Sequence, residues 1–155
     1  MANYQSKQVK AGVPAPAPSD AVCAMAITTD YVTPTGGIAA GSIIEMGAIP
    51  DNCIPVDLVI HTGILGASVT LDAGIMSGDY ADTDQARTLG SEFFASAQAA
   101  ATAVLLRGTK SFAAVAPSAT VRSWGLKTAG ATTSAGISVR ATLYVVPAPV
   151  GIVNA

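Results

Sequence analysis

The chain has 155 residues, a formal net charge of −2, and only 12% charged against 50% hydrophobic residues, where an ordinary soluble domain carries roughly 25% charged. That is too few charges to coat a lone monomer, so the composition points to a subunit of an assembly, a homo-oligomer. Acids and bases are scattered with no basic run, which speaks against phosphate neutralisation and hence nucleic-acid binding; no stretch is long and apolar enough for a membrane span or a signal peptide, so the expected site of synthesis and retention is the cytoplasm.

One domain accommodates this length. Residues 1–20 are expected as an Ala/Pro-rich extended N-terminal arm, because Pro14, Pro16 and Pro18 remove backbone donors at alternate positions; a plain disordered tail is the other reading. Residues 21–147 are expected to form a β-sandwich domain, and residues 148–155 a C-terminal tail. The first strand, Ala21 to Val32, is apolar on both faces at its start and is predicted to be covered on both sides. It ends at the turn Pro34-Thr35-Gly36-Gly37.

The central stretch, Ser42 to Met76, predicts three consecutive strands paired as a meander, with a turn at Pro50-Asp51-Asn52 and a glycine-rich break at Gly63 to Gly66. Val56, Leu58, Ile60 and Thr62 fall on one face against Asp57, Val59 and His61; Val69, Leu71, Ala73 and Ile75 repeat the period. A polar loop follows from Ser77 to Gly90. Glu92 to Leu106, EFFASAQAAATAVLL, predicts a short helical insertion with Ser91 as N-cap. Strands resume over Ser111 to Ala116, Thr120 to Lys127 and Gly136 to Val146, where Ile137, Val139, Ala141, Leu143 and Val145 face one way. The sum, about seven or eight strands at spacings of about 8 to 15 residues, predicts an all-β fold, a two-sheet jelly-roll-like sandwich rather than an immunoglobulin-like one.

No motif carries catalysis. His61 is the single histidine, mid-strand and without a nucleophile elbow such as GxSxG in the chain. Asp57 lies about 13 Å from it along an extended strand, too far to share a metal. Glu45 and Asp72 are strand carboxylates expected to face solvent, with nothing marking them as an acid–base pair. Asp79, Asp82 and Asp84 suggest calcium, but their spacing lacks the central glycine and terminal glutamate of a calcium loop, so a solvated loop is expected. Cys23 and Cys53 are too few for a zinc site and read as buried free thiols. The expectation is therefore no catalytic, metal or cofactor-binding residues and no enzyme.

The unit EMGAIPDNCIPVDLVIHT, the following TLDAGI and the closing ATLYVV strand together resemble the jelly-roll decoration, or cement, proteins of tailed-bacteriophage capsids, over about residues 42–146. The resemblance implies a structural virion protein on the outer capsid surface. It would be assembled in the host cytoplasm, bind and stabilise the shell of major capsid protein, and clamp neighbouring subunits with terminal arms. A receptor- or carbohydrate-binding jelly roll is the alternative.

Overall fold

In the computed structural model, which describes residues 2–12, 24–98 and 104–148, the period-two pattern of the closing strand becomes β9 (Ser138–Pro147). Its residues Val139, Ala141, Leu143 and Val145 are each at most 1% exposed. In chain order the other elements are β1 (Asn3–Gln5), α1 (Lys7–Lys10), β2 (Met25–Val32), β3 (Ile43–Ile49), β4 (Cys53–Thr62), β5 (Thr70–Ile75), β6 (Phe94–Gln98), β7 (Val104–Arg107) and β8 (Arg122–Ala129), with one 3-10 turn at Phe112–Ala114.

The strands form two sheets, ordered β1-β3-β8-β5-β6 and β2-β9-β4-β7. Antiparallel pairs nest from the outside in, β2 with β9, β3 with β8, β4 with β7 and β5 with β6. This is a long hairpin rolled up on itself, the jelly-roll topology. The strand β1 is added in parallel to the edge of β3. Trp124, Leu126, Phe94, Ile44, Met46 and Leu71 of the first sheet, with Phe93 just before β6, and Leu58, Ile60, Ala141, Leu143 and Val145 of the second form one hydrophobic cluster.

The two-sheet sandwich is the expected fold, and several elements depart from expectation. The meander is wrong: β3 and β5 lie in one sheet and β4 in the other. Alternation within a strand reports which face is apolar but carries no information on the partner strand. Val56 is expected on one face with Leu58, Ile60 and Thr62, yet it is 43% exposed while they are buried; the register shift between Pro55 and Asp57 opposite β9 is a bulge that reverses the phase, so Pro55 and Leu58 both point in. In β2 the residues Ala26 and Thr28 are exposed, so this strand is covered on one side only.

The helix expected over Glu92 to Leu106 is also wrong. Phe94–Gln98 pairs with β5 and Val104–Arg107 with β4; sheet pairing overrides alanine's helix preference there. The strand expected over Ser111 to Ala116 holds the 3-10 turn. The only α-helix among the described residues is instead α1, within the stretch expected as an arm. The Ser6 side chain caps it, and Val9 is 4% exposed against the sandwich. Pro14, Pro16 and Pro18 lie outside the described residues.

Candidate functional site

The strand β3 is buried along its whole length, and Glu45, expected to face solvent, is 1% exposed. Burial of a carboxylate demands compensation, and four donors supply it. Arg87 Nη1 and the Ala81 amide each donate to Oε1, both at 3.0 Å. Ser123 Oγ also donates to Oε1, and Gln5 Nε2 donates to Oε2 at 3.1 Å. The side chain of Arg87 is itself 2% exposed. It further donates from Nε to the Ser77 carbonyl at 2.7 Å and from Nη1 to the Asp82 carbonyl at 3.0 Å. One ion pair thus ties β1, β3, β8 and the 77–90 loop together.

The loop can lie on this sheet because the sheet is bare of side chains there. Gly74 and Gly125 are neighbours across β5 and β8, in line with Glu45. A Cβ on Gly125 would stand 2.5 Å from the Ile44 carbonyl oxygen, and one on Gly74 would strike the Gly90 carbonyl and the Glu92 carboxylate. Glu92 in turn accepts from the Ile75 amide at 2.9 Å.

Where β1 meets the loop there is a cavity of about 150 Å³ lined by Asn3, Tyr4, Lys10, Glu45, Met76, Asp82 and Arg87 among others. Two buried polar atoms of this lining, Arg87 Nη2 and Asn3 Oδ1, have no hydrogen-bond partner.

The outer face of the second sheet is open. Strand register sets Asp30, Arg140, His61 and Leu105 in one row, and Thr28, Thr142, Val59 and Arg107 in the next. Arg140 Nε binds Asp30 at 2.7 Å and Arg107 Nη2 binds Asp57 at 2.5 Å. The hydrogen bond from Arg107 holds the Asp57 carboxyl below its ordinary range. Leu105 is 63% exposed and Val32 42%. Such a face suits contact with another protein better than turnover of a small molecule.

The remaining residues singled out in the sequence are dispersed. His61 is exposed in β4. Asp72 stands opposite Lys127, one row from Glu45, whose carboxylate is bound by the four donors above. Asp79, Asp82 and Asp84 are exposed. Asp82 and Asp84 spend carboxylate oxygens on the amides of Asp84 and Ala86, at 3.0 and 2.8 Å. Among the described residues, no group of three or more His, Cys, Asp or Glu could hold a metal. Cys53 is a buried free thiol, which burial pushes to a higher pKa; Cys23 lies outside the described residues. Sequence reasoning missed Arg87. The signal available was an isolated arginine in a loop otherwise acidic, facing a glutamate within an apolar strand.

These features define a jelly roll with one buried ion pair holding the 77–90 loop to a sheet, a cavity beside that loop, and one open sheet face. No protein-family model and no curated protein sequence matches the chain. Among solved structures, a chain in the capsid of Ralstonia phage GP4 matches with a TM-score of 0.84 at 34% identity, covering 94% of this chain and 97% of that one. A chain of the cyanophage Pam1 capsid asymmetric unit matches with a TM-score of 0.62 at 17% identity, covering 86% and 91%, and shows the same fold. The chain belongs to the family of the GP4 capsid chain and is a phage capsid-related, structural virion protein.

Proposed function

We propose that this protein is a capsid decoration, or cement, subunit that binds and stabilises the shell of major capsid protein from its outer surface, as a dimer or trimer and without catalysis. The observation that carries the reading is the near full-length likeness to a chain of the GP4 capsid. The low charge of 12% and the open sheet face with Leu105 and Val32 support it, since both favour protein contact over solvent. Many weak contacts, repeated in each copy of an oligomer, add up to firm attachment.

The test is to incubate the purified protein with phage heads that lack it, pellet them, and then heat them while following DNA release. Saturable binding and release at a higher temperature are expected. Protein left in the supernatant, or heads no more heat-resistant than before, would overturn the reading. Light scattering of the free protein checks the oligomer, and a strict monomer both free and on heads would remove that part.

A further inference from the structure

We propose that the open outer face of the second sheet is a two-fold self-association face, covered by the same face of a second copy of this chain. Next to the two rows described above, register sets a third row of Ala26, Tyr144 and Asp57. The alternate residues of β9 and β4, such as Leu143 and Ile60, lie in the core, so all three rows point outward. Charge permits the contact. The acids of these rows are each paired with an arginine of the same face, Asp30 with Arg140 and Asp57 with Arg107. The rows therefore carry no net charge, and two copies meet without accumulating repulsion.

The arrangement also complements itself. A two-fold axis lying in the face along the middle row, at Thr142 and Val59, reverses the strands and exchanges the outer rows. It sets Arg140 over Tyr144 of the second copy, a cation above a ring, and His61 over Asp57 of the second copy, a donor above a carboxylate. Each contact occurs twice, as an isologous interface requires. On the axis Thr28, Thr142 and Val59 meet their own copies, and residues of that size let two sheets pack about 10 Å apart. Arg107 meets a like charge there, but at the edge strand β7, where its side chain is 70% exposed and held by Asp57, so solvent and salt screen it. The register is selective. An axis on the first row would set Asp30 and Arg140 each over itself, and one on the third would set Asp57 over Asp57.

The size of the face predicts the strength. Strands of 8, 10, 10 and 4 residues, at ~3.3 Å per residue and ~4.8 Å between strands, present roughly 500 Å². Two such faces remove about 1,000 Å² from water, the lower bound for a specific interface, so a dissociation constant in the micromolar range is expected. On the decoration reading this contact builds the oligomer, and its geometry is independent of attachment to heads.

Sedimentation equilibrium of the full-length protein, over a concentration series spanning the micromolar range, is expected to give a reversible monomer–dimer equilibrium. Thr142→Arg and Val59→Arg, each placing two charges at the axis, are expected to weaken it at least about 100-fold, with urea midpoints checking the fold. Register is read by crosslinking with a bis-maleimide about 10 Å long, the distance between packed sheets, in a Cys23→Ser background in which Cys53 is buried. Thr142→Cys, on the axis, is expected to link two copies. Ser138→Cys, two rows further along β9 and so about 26 Å from its own copy, is not. A trimer, a dimer indifferent to both arginines, or equal linking at the two cysteines would each overturn the proposal; where an arginine variant fails to fold, the crosslinks decide. A parent that stays monomeric also overturns it, and loss of head binding in Thr142→Arg would then give the face to a capsid polypeptide. Dimers that form as expected yet leave heads unbound would count against the decoration reading alone.

Discussion

Arg87→Met should be the most damaging single change that leaves the hydrophobic cluster untouched. Glu45 and Arg87 are 1% and 2% exposed, and removing one partner of a buried pair typically costs about 3–5 kcal/mol because the other charge stays behind in low dielectric. The carboxylate keeps donors from Ser123, Ala81 and Gln5, which places the loss near the lower end. The loop, however, also loses its bonds at the Ser77 and Asp82 carbonyls. A total of about 3–4 kcal/mol corresponds to a fall in Tm of about 10 °C for a domain of this size. Glu45→Gln should cost less, and the double variant should cost about 2 kcal/mol less than the sum of the singles, since removing both charges leaves neither unpaired. Urea titration of the four proteins measures this, at one protein concentration because assembly shifts apparent stability. Arg87→Met within about 0.5 kcal/mol of the parent, or strict additivity in the cycle, would refute the view that this pair holds the loop to the sheet.

Gly125→Ala should destabilise by about 1–3 kcal/mol, because the neighbours its Cβ meets include backbone that cannot step aside; Gly36→Ala, with nothing within 4 Å, is the neutral control, and thermal melts compare them. Tyr31, 4% exposed and edge-on to Tyr4, has its phenol pushed up to about 12, by burial first and by Tyr4 second. Its pKa is raised in the folded state, so its contribution is complete below the unfolded value near 10 and is lost as pH rises towards 12. Stability measured over that window should fall by up to about 2 kcal/mol in the parent and by less in Tyr31→Phe, with equal slopes counting against the assignment.

The parts of the fold that were legible in the sequence are those governed by a local rule. Alternation in Ile137 to Val145 marked the buried face of β9 because side-chain direction in a strand depends only on parity. Pairing is non-local, and nothing in Ser42 to Met76 tells β3 and β5 that β8 will come between them. Phe94–Gln98 reads as helix because alanine favours one, and becomes strand because β5 offers unpaired backbone. Glu45 was misplaced for a related reason. A charge in a strand is assumed to face water unless its partner is known, and the partner stood 42 residues away in a loop. The open sheet face and the cavity are both products of tertiary packing, so neither had a sequence signature.

The N-terminus divides into two parts that should respond differently to change. Ser6 is fully buried; its Oγ donates to the Met46 carbonyl at 2.5 Å and its amide to the Glu45 carbonyl at 2.7 Å. With Val9 buried and Gln5 on the Glu45 carboxylate, residues 2–10 are an integral part of the sandwich. Burying a valine is worth about 1.5–3 kcal/mol and each hydrogen bond about 1 kcal/mol net, so deleting residues 2–10 should cost about 4 kcal/mol, seen in urea titration. We propose, on the decoration reading, that the stretch with Pro14, Pro16 and Pro18 reaches a partner. Replacing all three prolines with glycine raises the entropy lost when that segment is ordered on a surface. The variant should therefore keep the parent's urea midpoint and yet leave phage heads faster. An unchanged off-rate would mean that the sandwich alone does the holding, and a lowered midpoint that these residues too belong to the fold.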